Sequence, residues 1–316
     1  MKYIEILFVC LLMFSCEAPP TDILYEKITE RGIHANLLHS PGNRDHPLVL
    51  LVPGSGASFL PNKLVSGLVK SGYDVLSIAY KGQRGLPKKI ERIPLEYLET
   101  VINYANERFP ERKLVLLGIS KGAEYALTFA SYYDLVDGLI AYAPSAFVLP
   151  NHVSVQKSSE QHSSWTWQGQ EIPFAKLAPF QEPAGMVTYR HYISPIFTDS
   201  IPFNQARIHV EKIRCRILLL SGADDQVWPA SDMGSMIQSI IESVNPTLEV
   251  EHISYPDCGH QFVWFHEQAP DSAPVYQSMR LTGIKRHKFV FGGTEEATRA
   301  AMVDSRKQIL RFLAEF

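Results

Sequence analysis

The stretch VLLGISKGAEYALTFA, Val115 to Ala130, constrains the fold of this chain more than any other. An apolar run of strand character ends in Gly118-Ile119-Ser120-Lys121-Gly122, and a segment rich in small residues with helical character follows. Glycines two residues to either side of a serine suit a very tight strand-to-helix turn, because a side chain at either position would meet neighbouring backbone. Such a turn exposes the Ser120 hydroxyl above the carboxyl end of its strand. It also leaves the following N–H, from Lys121, at a helix N-terminus, pointing to where an oxyanion would form.

The rest of the chain repeats the alternation. PLVLLVPG is a continuous apolar run that ends in Pro-Gly, as a strand buried on both faces does. NKLVSGLVKSG carries Leu64, Val65, Leu68 and Val69 at helical spacing, with Gly72 as a stop. YDVLSIAY and KLVLLGIS read as strands, as do GLIAYAP, CRILLLSG and LEVEHISYP. Leu95 to Phe109 is an amphipathic helix introduced by Pro94. Thr294 to Phe316 is a closing helix, with Thr294 as N-cap and Glu295 and Glu296 in its first turn. Strands and helices in alternation predict an α/β fold, a mostly parallel sheet flanked by helices. With 316 residues, 46% hydrophobic, the chain has ample apolar material for a substantial core.

Two segments break the rhythm. Ser145 to Arg207 is rich in Pro, Trp, Gln and His and falls between two core strands, so it is expected to form an inserted cap, with Trp165, Trp167 and Phe174 arguing against disorder. Phe262 to Gly293 is expected to be a long surface connection.

The first residues are read apart from the fold. Lys2, the apolar run Ile6 to Phe14 and then Ser15-Cys16 resemble a bacterial lipoprotein signal, with cleavage before Cys16 leaving that cysteine to carry lipid. This predicts a signal peptide over 1–16, a domain over 17–316, and a protein exported to the bacterial cell envelope. The net charge of −3, with mixed signs, gives no reason to expect nucleic acid, and a lipid anchor would be the sole tie to a membrane. Cys215 precedes one predicted strand and Cys258 follows the next. Parallel neighbours would hold them roughly 20 Å apart, whereas a disulfide needs Cα atoms within about 7 Å. No bridge is expected.

Serine is a poor nucleophile without a base to take its proton and an acid to orient that base. On this strand–turn–helix scaffold the chain order is serine, acid, histidine. After Ser120, the strand RILLLSG ends in ADDQVWP, so the acid is Asp224 or Asp225. The spacing G-x-x-D followed by an apolar pair and Pro favours Asp225. The next strand ends in YPDCGHQF, which puts His260 on a glycine-loosened loop within reach of Ser120. A second oxyanion N–H is expected from Ser55 or Gly56 in VPGSGAS. A dinucleotide loop fails there, because its third glycine would fall on Phe59. The cysteine and histidine spacings offer no metal site, so no cofactor is expected.

GISKGAEYAL, SGADDQVWP and YPDCGHQF resemble the signature stretches of the acyl-CoA thioesterase and bile acid-CoA:amino acid N-acyltransferase family. SSWTWQGQEIPF is similar to that family's cap, and GGTEEATRAAMVDSRKQILRFL to its closing helix. The likeness runs from about Leu48 to Phe316 and implies an α/β-hydrolase fold with Ser120, Asp225 and His260 as the catalytic trio. It also implies a small-molecule acyl thioester or ester as substrate. The neighbouring functions are a secreted carboxylesterase or amidase, an N-acyltransferase and a surface-tethered binding lipoprotein. In the family, serine at the nucleophile position goes with hydrolysis and cysteine with acyl transfer to amines.

Overall fold

The structure, a computed structural model, describes residues 22–150, 161–177, 186–188, 190–193, 204–280 and 286–316. The expected signal segment, Cys16 included, lies outside the described residues.

Eight strands form the central sheet: β1 (Leu24–Ile28), β2 (Ala35–His39), β3 (Leu48–Val52), β4 (Val75–Ile78), β5 (Leu114–Ile119), β6 (Gly138–Tyr142), β7 (Arg216–Gly222) and β8 (Val250–Tyr255). Their spatial order is β1-β2-β4-β3-β5-β6-β7-β8. β2 runs antiparallel to both of its neighbours, and every other pairing is parallel. Among the described residues, five helices of nine residues or more cover it: α1 (Asn62–Lys70), α2 (Leu95–Arg108), α3 (Lys121–Tyr132), α4 (Ala230–Val244) and α5 (Glu295–Leu313).

The central strands are apolar throughout because both of their faces are covered. Leu48, Leu50 and Val52 of β3 and Leu114 and Leu116 of β5 point into the core shared with α2, α3 and α4. Val49, Leu51, Val115 and Leu117, the alternate residues, point to the opposite core, which α1 and α5 close. Each such Leu or Val contributes roughly 1.5–3 kcal/mol when fully buried. The Thr294 side chain accepts the Ala297 N–H at 3.1 Å and caps α5.

The insertion between β6 and β7 enters and leaves at one point. Phe147 and Arg207 form an antiparallel bridge, and backbone bonds from Val148 to Ala206 (2.8 Å) and Ile208 to Ala146 (2.9 Å) flank it. Within the insertion, Trp165–Trp167 pairs with Gln170–Glu171 through a turn in which Gln168 and Gly169 both have positive φ. The same short strand adds in parallel to Ile93–Pro94, just ahead of α2.

Residues 262–293 depart from the expected surface connection. Phe262 and Phe265 are fully buried in the α1–α5 core. Tyr276–Arg280 and Arg286–Val290 form an antiparallel pair, and Met186–Val187 from the insertion adds in parallel to the second strand. Neither YQSMR nor RHKFV alternates apolar with polar, so no period announces a strand. The strand form comes from backbone pairing with a segment about a hundred residues away in sequence.

Candidate active site

The nucleophile turn has a conformation that the flanking glycines make accessible. Ser120 sits at φ 55° and ψ −119°, a region that costs a non-glycine residue about 1–3 kcal/mol and needs firm surroundings. Its N–H donates to the Tyr142 carbonyl of β6 at 2.9 Å, and its own carbonyl accepts the Ala123 and Glu124 N–H groups at 2.8 and 3.0 Å. A Cβ on Gly118 would stand 2.4 Å from the Gly122 carbonyl oxygen and 2.6 Å from the Ala123 Cα. One on Gly122 would stand 2.3 Å from the Val52 carbonyl oxygen, at the end of β3. Both glycines are therefore steric requirements of the turn.

The sheet then brings three loops together at its carboxyl edge. His260 Nε2 lies 2.9 Å from Ser120 Oγ, and His260 Nδ1 lies 2.6 Å from Asp225 Oδ2. A carboxylate at that distance makes Nδ1 the protonated nitrogen, which leaves the Nε2 lone pair facing the serine. Asp225 is fully buried, and its other oxygen accepts the N–H groups of Val227 and Trp228 at 2.8 and 3.1 Å. The Trp228 ring packs at right angles to the imidazole, with centroids 5.1 Å apart. Arg190, from the insertion, donates to the Asp225 carbonyl at 2.8 Å. The His260 N–H donates to the Phe291 carbonyl at 2.9 Å, which ties the histidine loop to the strand before α5.

Asp224 takes no part in this chain. One of its oxygens accepts the Gly293 N–H at 2.8 Å and the other accepts the Gln226 side-chain amide at 2.6 Å. Of the two adjacent aspartates, Asp225 faces the imidazole and Asp224 does not.

Lys121 is the first residue of α3, and no described acceptor takes its N–H. Of the loop after β3, it is Gly54 that lies against Ser120: a Cβ there would stand 3.4 Å from the Ser120 Cβ and 3.9 Å from its Oγ. Around Gly56 there is open space.

A buried network beneath the turn involves the side chains of Lys121 and Glu124, which lie within GISKGAEYAL but receive no side-chain role from the sequence. Lys121 Nζ donates to both oxygens of Glu124 at 2.8 Å and to the Leu149 carbonyl at 3.3 Å. Glu124, with no exposed surface, also accepts the Leu149 N–H at 3.0 Å and the Trp165 indole N–H at 2.8 Å. Burial pushes the Lys121 ammonium below its usual range and the Glu124 carboxyl above its own, and the attraction between them opposes both shifts. The available signal was two opposite charges three residues apart on a helix whose other positions are small or apolar.

Cys215 and Cys258 are buried free thiols. Among the described residues, no group of three or more His, Cys, Asp or Glu side chains is arranged to hold a metal ion.

Residues 93–316 match the family model described as BAAT / Acyl-CoA thioester hydrolase C terminal. The chain belongs to this family. Among its relatives is the mouse peroxisomal succinyl-coenzyme A thioesterase, 26% identical over 294 residues, which cover 91% of this chain and 64% of the relative. Human acyl-coenzyme A thioesterase 1 is 25% identical over 306 residues, covering 93% of this chain and 65% of the relative. This chain therefore spans a little under two thirds of these proteins. Two solved structures share the α/β-hydrolase fold over 93% of this chain. A puromycin-hydrolyzing peptidase of Mycobacterium tuberculosis aligns with a TM-score of 0.53 and 14% identity, over 39% of its length. A protein assigned as a dienelactone hydrolase of Klebsiella pneumoniae aligns with a TM-score of 0.54 and 14% identity, over 99% of its length.

Proposed function

We propose that this family member hydrolyses an acyl thioester through an acyl-serine intermediate. The observation that carries the reading is the unbroken hydrogen-bonded chain from Ser120 Oγ through His260 to Asp225. Ser120 Oγ attacks the thioester carbonyl as its proton passes to His260 Nε2. Asp225 holds the ring in that tautomer and stabilises the imidazolium. The oxyanion accepts the Lys121 N–H and the N–H of Ser55, with Gly56 next in line. Collapse expels the thiolate, which takes the proton from His260. Water, deprotonated by the same Nε2, then attacks the serine ester, and collapse releases the acid as the proton passes from His260 to the departing Ser120 oxygen.

The leaving group is proposed to be CoA-like, in line with the names of the relatives. The loop after β4 supports an anionic leaving group. Lys81, Arg84, Lys88 and Lys89 stand within nine residues that contain no Asp or Glu, in a chain of net charge −3. None of the four has a carboxylate partner among the described residues. A Cβ on Gly82 of this loop would stand 2.6 Å from the Ser58 hydroxyl, in the loop after β3. Hydrolysis rates should be measured on acyl-CoAs of varied chain length, on the matching neutral N-acetylcysteamine thioesters and on p-nitrophenyl esters. CoA thioesters are expected to turn over fastest, free acid to remain the main product in excess taurine, and Ser120→Ala to lose on the order of 10⁴ or more in kcat. Ester turnover without thioester turnover would make the protein a carboxylesterase, N-acyl taurine as main product would make it an acyltransferase, and full activity in Ser120→Ala would refute the mechanism.

Export and lipidation at Cys16 complete the proposal. They rest on the leader sequence alone, and release of wild type and Cys16→Ala in equal measure to the soluble fraction would refute them.

A further inference from the structure

We infer that the buried Lys121–Glu124 pair, with Trp165, is a positioning device that holds the oxyanion-binding N–H and the nucleophile turn in register with the cap. The inference rests on the hydrolase reading and concerns residues with no part in the triad. Lys121 offers its backbone N–H to the turn, and its side chain is buried with Glu124. The side chain is held at three points, by both Glu124 oxygens and by the Leu149 carbonyl. Its ammonium also lies over the Trp165 ring, 5.2 Å from the centroid. Glu124 in turn grips the insertion twice, through the Leu149 N–H and the Trp165 indole. Trp165 is fully buried and stacks on Tyr125, one residue after Glu124, with centroids 4.4 Å apart. Leu149 also takes the Ser164 hydroxyl at 2.9 Å, and Pro150 bridges to Ser163. The two chain segments that bound residues 151–160 are thus fastened to each other and to the first turn of α3.

Stability does not explain this arrangement. A buried ion pair can commonly be replaced by uncharged groups of similar volume with little loss of stability, or with a gain. Two charges are nonetheless taken out of water, one and four residues after a strained serine. A backbone held at φ 55° keeps its geometry only where its surroundings over-determine it. The pinned Lys121 side chain fixes the orientation of the residue whose N–H is to meet the oxyanion. An error of about 1 Å in such a donor can cost on the order of a hundredfold in rate. The grip on Leu149 and Trp165 makes the same register depend on the cap being seated.

The test is the double variant Lys121→Met/Glu124→Gln, which keeps acceptors for Leu149 and Trp165 and keeps the Lys121 N–H. Three quantities are measured: melting temperature, kcat and KM on a p-nitrophenyl ester, and the rate of inactivation by a fluorophosphonate. The expected result is a melting temperature equal to or above wild type, KM within about threefold, and kcat and inactivation rate both down by tenfold or more. Trp165→Phe keeps an aromatic ring against Tyr125 and removes the indole N–H together with part of the buried ring volume; a smaller fall in kcat and inactivation rate at an unchanged KM is expected, and it decides the matter if the double variant does not fold. A folded double variant with wild-type kcat and inactivation rate would overturn the inference, as would a wild-type Trp165→Phe if the double variant is unfolded. Wild-type protein inert to the fluorophosphonate and to every ester would instead refute the hydrolase reading beneath it.

Discussion

Asp225→Asn separates the role of the acid from its contribution to the fold. In the native site Asp225 Oδ1 accepts two backbone N–H groups and Oδ2 accepts the imidazole N–H at 2.6 Å. Asparagine is isosteric, and its carbonyl oxygen can keep the bonds to Val227 and Trp228. The amide NH₂ then occupies the place of Oδ2 and points a donor at His260 Nδ1. Two donors cannot face each other, so the ring takes the opposite tautomer, with its proton on Nε2 toward Ser120. A protonated Nε2 cannot accept the hydroxyl proton, and the imidazolium that forms in the transition state loses its counter-charge. The expected loss is about 10⁴ in kcat, or about 5.5 kcal/mol at 1.36 kcal/mol per decade. Asp224→Asn supplies the contrast. Among the described residues its carboxylate bonds Gln226 and the Gly293 N–H, and asparagine keeps one acceptor, so kcat is expected to stay within about tenfold of wild type. The assay is single-turnover and steady-state hydrolysis of a p-nitrophenyl ester and an acyl thioester, with circular dichroism to verify the fold. A folded Asp225→Asn enzyme that retained a tenth of wild-type kcat, or an Asp224→Asn enzyme that fell as far, would refute the tautomer argument and the choice of acid.

Two further outcomes follow from packing and burial. Gly118→Ala places a Cβ 2.4 Å from a backbone oxygen that cannot move without breaking the turn; it is expected to destabilise by several kcal/mol and to abolish fluorophosphonate labelling of Ser120, whereas normal labelling at an unchanged melting temperature would show that the turn tolerates a side chain. Burial pushes the Cys215 and Cys258 thiols up to about 12, so both stay protonated at any pH well below that; mass spectrometry after iodoacetamide treatment at pH 8 is expected to find both unmodified in folded protein and alkylated in urea, and rapid alkylation of the folded chain would contradict their burial.

The tight turn that carries Ser120 was legible in the sequence because its requirement is local. Five residues, Gly118 to Gly122, make the turn; a side chain on Gly118 would meet the backbone of the helix that follows, and one on Gly122 the end of the neighbouring strand β3. The apolar runs announced the central strands for a similar reason: burial on both faces leaves no polar positions in β3, β5 or β6. The family follows from such stretches taken in order, and the match over residues 93–316 bears that out. Chain order also pointed to His260 and to one of two aspartates, but sequence spacing only favoured one of them. Adjacent carboxylates differ only in what faces them, and the Gly293 N–H that occupies Asp224 comes from 69 residues further on. The second strand pair, over Tyr276–Arg280 and Arg286–Val290, was illegible because its pattern has no apolar face and its third strand comes from the insertion. Glu124 shows the division within a single side chain. Its position three residues after Lys121 is written in the sequence. That it lies out of water and holds Trp165, 41 residues away, was decided only by the tertiary structure, since burial and long-range partners depend on how distant segments pack.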